Sequence, residues 1–359
     1  MTLVAQLAVN GAPFLIGDVL LSSETRTGLK VRLPLVGDIN QILADNGLPF
    51  EIEFAQKINV FDGRIAVAWS GSSIQAKRAL GVLANISSRQ KLTVDDILVE
   101  LKAIDQTKID KLQLIGVLLE GVSGTTCNTG LFLLRASPEN IPNFGTGCVG
   151  GSGRERFLQI LQSGSWLTQA NATEYHVAHG ILGALTNEEY RTGNTIANRW
   201  GGGFEALTFS STSGYFEKVG DILHTFWEVE ENSEDAIRLF PFFYKTTYWR
   251  DALVLRTASF EPLNSGELRL KTNDITVIPP LLKGINEYDV AELGHVDFTY
   301  RAVCCHVLIN KPSNRDCMFL VDQRESGQDV IFQVDQGSGH LHISNYLPNI
   351  IKMELSSRK

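Results

Sequence analysis

The sequence has no run of about 18 apolar residues, the length a helix needs to cross a bilayer, and no basic flank followed by a long apolar stretch near its start. Neither a membrane-spanning helix nor an export signal is expected, and the chain is expected to begin at its functional residues. Cysteine is sparse. The five residues Cys127, Cys148, Cys304, Cys305 and Cys317 form neither an even framework nor a CxxC pair, so reduced thiols and a cytoplasmic setting are expected. Excess positive charge is also missing: 32 Lys and Arg stand against 40 Asp and Glu, a formal net charge of −8 without long single-sign blocks. That argues against a nucleic-acid or anionic-membrane surface and leaves peptides or proteins as partners.

What is present is the balance of a globular protein, with 43% hydrophobic and 20% charged residues. A chain of 359 residues suits about two domains, since domains usually run about 100–200 residues. Apolar segments at 3–9 and 13–21 flank Asn10-Gly11, and Asp62-Gly63 separates 58–61 from 64–69; both dipeptides favour the positive φ of a tight hairpin turn. Residues 24–56, broken by Pro34, Gly37, Gly47 and Pro49, read as loop. Helical spacing marks 73–86 and 95–103, and further helices are expected at 154–170 and 172–190. Strand pairs are expected at 112–120 with 130–135, across a turn at 121–129, and at 203–209 with 219–229, while 145–153 reads as a glycine-rich turn. From about 232 the texture becomes aromatic-rich β segments at 240–249, 252–260, 300–309, 318–323 and 330–334.

The chemistry centres on Thr2. A terminal amine has a pKa near about 8, lower than that of lysine, so it accepts a proton near neutral pH from a hydroxyl on the same residue. Removal of Met1 gives Thr2 both groups. The segments Thr2-Leu3-Val4-Ala5, Ile16-Gly17-Asp18, Lys57-Ile58 and Asp62 to Ser72 resemble proteasome β subunits and their bacterial relatives, which are N-terminal-nucleophile hydrolases. The Thr2-to-Asp18 and Lys57-to-Gly71 separations match that pattern without gaps. The Asp18-to-Lys57 connection is longer by about two dozen residues, an insertion that costs little loop entropy. Downstream, 114–120, 131–135, the Gly151-Ser152-Gly153 turn and Gly201-Gly202-Gly203 continue the resemblance, which spans about residues 2–229.

The resemblance implies an α/β (α+β) fold, a four-layer αββα sandwich of two antiparallel sheets in residues 1–231, followed by a β-rich accessory region at 232–359. It implies that Thr2 Oγ attacks an amide carbonyl while the amine takes its proton. Lys57 would lower the hydroxyl pKa, Asp18 would hold Lys57 charged, the Gly71 N–H would receive the oxyanion, and Ser152 would orient the amine. The activity implied is that of a threonine peptidase on peptides or proteins, without a cofactor, in a homo-oligomeric ring. The sequence departs from the family in three places, the first being that Asp18 is followed by Val19-Leu20-Leu21 without the usual basic residue. Asn198 and Gly201 stand where an aspartate and a serine are usual, and an inactive scaffold or sensor of the same fold is the alternative.

Other signals read as structural. His176 and His179 lie three apart with no third ligand nearby, and Cys304, Cys305, His306, Cys317, His340 and His342 fit no zinc spacing, so no metal site is expected. Gly145 to Gly150 matches GxGxxG outside any βαβ context. The aromatics between Phe226 and Trp249 read as core.

Overall fold

The computed structural model describes residues 2–23, 32–33, 37–38, 51–124, 126–164, 173–192, 194–230, 233–262, 268–293, 300–310, 315–322, 330–335, 338–343 and 346–357. It is a mixed α+β protein that divides into two compact units, Met1–Val219 with Ile278–Ile285, and Gly220–Val277 with Asn286–Lys359.

The first unit contains two antiparallel sheets. The six-stranded sheet runs in the order Glu139–Ile141, Gly145–Gly151, Leu3–Val9, Ala12–Asp18, Phe204–Ser210, Tyr215–Val219, and the four-stranded one in the order Thr126–Leu134, Leu112–Ser123, Ile65–Gly71, Ile58–Phe61. Strand alternation explains how one segment serves two cores. Ala66 and Ala68 pack with Val4, Leu15, Ile115 and Leu207 between the sheets. Ile65, Val67 and Trp69, one residue out of phase, pack with Ala76, Leu80, Leu83, Ile97 and Leu101 of the helices Ser73–Ile86 and Val94–Ala103. Both hairpins form on left-handed residues, Asn10 (φ 51°) with Gly11 (82°) and Asp62 (48°) with Gly63 (65°), the backbone that tight hairpin turns demand. Each helix has a capped start: the Ser72 side chain accepts from Gln75 N–H, and Thr93 with Asp96 forms a reciprocal capping box.

Several expected elements differ. Residues 145–153 are mostly not a turn: Gly145–Gly151 is a strand paired with Leu3–Val9, Leu3 opposite Gly151 and Gln6 opposite Cys148. Its glycines serve close approach, since a Cβ on Gly147 would come within 2.6 Å of the Gln6 carbonyl oxygen. The expected turn at 121–129 is largely strand, because the hairpin continues to Ser123 and resumes at Thr126. Phe204–Ser210 pairs with Tyr215–Val219 rather than with 219–229; Ile222–Glu230 belongs to the second unit. The helix expected at 154–170 spans Arg154–Ser163, and 165–172 lie outside the described residues. In the region read as loop, Glu51–Phe54 pairs with Leu20–Ser23, while 24–31 and 39–50 lie outside the described residues.

The second unit has a six-stranded sheet in the order Leu268–Ile278, Ala252–Pro262, Ser233–Trp249, Ile222–Glu230, Ala302–Asn310, Arg315–Asp322. The pairing of Ile222–Glu230 with Ala302–Asn310 is parallel. One face is covered by the helix Tyr346–Ser357, whose Leu347 and Ile351 join Leu223, Phe243, Val303 and Val307 in a core. Among the described residues no helix is long and apolar enough to cross a membrane.

Candidate functional site

Thr2 precedes the first strand, Asp18 ends the second, and Lys57 immediately precedes Ile58–Phe61. All three are buried, Thr2 at 1% exposure and the other two at 0%. The Thr2 hydroxyl donates to Asp18 Oδ1, and Gly201 N–H donates to Oδ2 at 2.8 Å. The Lys57 ammonium makes no hydrogen bond among the described residues and stands 4.4 Å from the centroid of the Trp69 ring, a cation–π arrangement that offsets part of its lost hydration. The Trp69 ring is held there by its indole N–H, which donates to the Gln56 carbonyl at 3.1 Å.

Burial dominates the electrostatics. It pushes the Asp18 carboxyl up to about 6, against the Lys57 charge, the Thr2 hydroxyl and the Gly201 and Leu3 N–H groups, which stabilise the anion. It lowers the Lys57 ammonium to about 8, against the negative charges of Asp18 and Glu205. Each charge thus works against the other's shift, Lys57 favouring the Asp18 anion and Asp18 the Lys57 cation.

Two buried acids absent from the sequence reading complete the surroundings. Gly201, Gly202 and Gly203 run consecutively at φ 100°, 79° and 118°, a left-handed path only glycine follows freely, and it turns successive N–H groups toward carboxylates. Gly201 serves Asp18, and Gly202 donates to Glu189 Oε2 at 2.7 Å, where Thr195 Oγ1 also donates at 3.2 Å. Burial, with the Asp18 charge adding to it, raises the Glu189 carboxyl to about 7 despite those two donors. Glu189 was detectable in principle: Ala178, Ile181 and Leu185 are buried on the helix Glu174–Thr192, and Glu189 continues their spacing. Asn198 is exposed. Glu205 is betrayed by period two, since Leu207 and Phe209 on the same face lie in the core between the sheets. Its carboxylate accepts from the N–H groups of Lys57 and of Ile58 (2.8 Å) and pairs with Lys218 Nζ at 2.6 Å.

Both acids carry predictions. Glu205→Ala leaves two backbone donors and an ammonium without their buried acceptor, so we expect a loss of about 3–5 kcal/mol in urea denaturation; a loss below 1 kcal/mol, on the order of an exposed ion pair, contradicts that role. For Glu189 the folded pKa lies above the ordinary 4.5, so its contribution is complete below 4.5 and is lost as pH rises through about 7. The stability of Glu189→Gln relative to wild type should therefore rise across that interval, and a pH-independent difference would show that the carboxyl is not shifted.

Above the buried triad lies an open cavity of about 540 Å³ lined by Thr2, Ser70, Gly71, Lys111, Gln113, Arg135, Gly151 and Ser152, among others. Gly71 and Gly151 adopt φ 101° and 92°, and a Cβ on either would overlap a carbonyl oxygen, of Lys111 and Thr2 respectively. The Thr2 carbonyl accepts from Gly153 N–H at 3.3 Å. Of the sequence-expected site residues, Thr2, Gly71 and Ser152 thus share one cavity wall, with Asp18 bonded to Thr2 and Lys57 acting on Asp18. Ser152 is exposed and its hydroxyl donates to the Arg199 carbonyl at 3.2 Å.

The weaker signals resolve separately. His176 Nδ1 lies 2.6 Å from Thr173 Oγ1, whereas His179 Nδ1 lies 3.0 Å from the Tyr175 carbonyl. The GxGxxG segment is the strand Gly145–Gly151. No protein-family model matches the chain and no curated protein matches it. Among solved structures, the chain is similar to the crystal structure of eukaryotic HslV from Trypanosoma brucei, at 13% identity and a TM-score of 0.33, covering 57% of this chain and 97% of that one.

Proposed function

We propose that the chain is a threonine-type amidohydrolase acting on peptide bonds, with Thr2 as nucleophile once whatever precedes it has been removed. The observation that supports this most is the buried Thr2 hydroxyl bonded to Asp18, beside an ammonium that has no hydrogen bond among the described residues, at the wall of an open cavity. In this reading the first unit is a four-layer αββα hydrolase domain, the second an accessory region, and the protein assembles as a homo-oligomeric ring in the cytoplasm.

While a residue precedes it, the Thr2 nitrogen is an amide and accepts no proton. Freed, it is an amine of ordinary pKa near about 8. The hydroxyl leaves Asp18 and gives its proton to the amine as Oγ bonds the substrate carbonyl carbon. The Lys57 cation favours the developing alkoxide, and Asp18 keeps that cation charged. Gly71 N–H donates to the carbonyl oxygen as it becomes negative. Collapse breaks the C–N bond, and the leaving amine takes the proton from the Thr2 ammonium, which leaves an acyl ester on Thr2. Water then gives a proton to the amine and attacks the ester, releasing the acid and restoring the hydroxyl. Ser152 orients the amine or the water.

A second reading, an inactive scaffold or sensor of the same fold, is favoured by Asn198 and by Gly201, which carries no hydroxyl. Intact mass measured alongside hydrolysis of a fluorogenic peptide separates the two. Chains starting at Thr2 that hydrolyse the peptide support the hydrolase; chains that retain Met1 and hydrolyse nothing support the scaffold. Hydrolysis by Met1-bearing chains contradicts the mechanism.

A further inference from the structure

In the second unit the parallel register sets His224 opposite Cys304 and Phe226 opposite His306. Side chains alternate along each strand, so Leu223, Val303, Cys305 and Val307 enter the core on one face, while His224, Cys304 and His306 gather on the other. Their exposures are 1%, 1% and 0%. One ligand atom from each lies within 4.8 Å of the others, and His224 Nδ1 stands 3.0 Å from His306 Nε2. The rings are held by stacking: Tyr244 lies on His224 with centroids 5.1 Å apart, and Phe226 lies on His306 at 5.0 Å.

A tetrahedral zinc ion, about 2.0–2.1 Å from imidazole nitrogen and about 2.3 Å from thiolate sulfur, spaces its ligand atoms about 3.3–3.8 Å apart. The observed 3.0 Å and the 4.8 Å limit bracket that spacing. Small side-chain rotations therefore bring the three donors onto one ion. The donor set is one soft sulfur and two imidazoles, which suits zinc and disfavours magnesium or calcium.

We propose that His224, Cys304 and His306 bind one zinc ion, with a solvent oxygen as the fourth ligand, and that the ion clamps the parallel strand pair of the second unit. Coordination to the ion lowers the pKa of the Cys304 thiol, which binds as thiolate and releases its proton to solvent. Two adjacent strands supply all three donors, so the site tightens a long-range pairing that no hairpin turn enforces. The competing arrangement, a bare hydrogen-bonded histidine pair, involves no thiolate, and sulfur spectroscopy separates the two.

The test uses the full chain freed of metal by a chelator and titrated with Co²⁺. One equivalent is expected to produce thiolate-to-cobalt charge-transfer absorption with tetrahedral visible bands, and Zn²⁺ should displace it. Cys304→Ser should lose the charge-transfer band, whereas Cys127→Ser, in the first unit, should keep it. Because substitutions in this layer can impair folding, zinc-edge X-ray absorption of the wild-type chain provides the second measurement, with one sulfur and two imidazole nitrogens expected. Absence of a charge-transfer band at one equivalent, its survival in folded Cys304→Ser, or a zinc shell without sulfur would each overturn the proposal.

Discussion

Thr2→Ala should lose at least about 10³-fold of peptide-hydrolysing activity, because residues that act as one catalytic unit fail together. A factor of 10³ corresponds to about 4 kcal/mol of transition-state stabilisation, more than a substrate-binding contact supplies. The fold should survive. Asp18 keeps the Gly201 and Leu3 N–H groups, so loss of the Thr2 hydroxyl should cost about 1–3 kcal/mol in denaturation. Thr2→Ser retains a hydroxyl and an amine and should remain active. Folded Thr2→Ala with wild-type turnover would place the nucleophile elsewhere.

Lys57→Met carries the second large effect, and its consequences differ for activity and stability. Turnover should fall by about 10²–10³-fold, the scale of a lost preorganised electrostatic group. Asp18 would then be a buried carboxylate facing no ammonium, and the usual cost of such an orphan is about 3–5 kcal/mol. Adding Asp18→Asn removes that charge, so the double variant should be more stable than Lys57→Met alone while staying inactive. A double variant no more stable than the single one would show that the two charges do not interact. The same pair sets the pH profile. Asp18, at about 6, protonates as pH falls, and Lys57, at about 8, loses its proton as pH rises. Turnover should therefore be highest between those values and decline on both sides, with each limb belonging to the pair rather than to either residue. A flat profile across both limbs contradicts this electrostatic role.

How much of this was legible depended on whether the signal was local. Asn10-Gly11 and Asp62-Gly63 dictate turn backbone by themselves, and the spacing of Ala76, Leu80 and Leu83 fixes one helix face. The segments bearing Thr2, Asp18, Lys57 and Gly71 were singled out by a family resemblance rather than by local pattern, and each sits at or beside a strand end. Glycine misled where it serves two purposes. In Gly145–Gly151 it permits a neighbouring backbone to approach, which sequence alone does not distinguish from a turn. Glu189 and Glu205 escaped notice because their partners are largely backbone N–H groups, which carry no residue signature. The relation of His224 to His306 spans 82 residues and exists only through a parallel strand pairing. No spacing rule reaches that far.

The central claim is that the Thr2 hydroxyl is the group that attacks. Treating the purified protein with a threonine-directed covalent probe, followed by peptide mass spectrometry, tests it most directly. The account predicts one adduct per chain, on Thr2 at a free N-terminus, with peptide hydrolysis lost in proportion to labelling. An active protein whose Thr2 stays unmodified while another residue carries the adduct would contradict it.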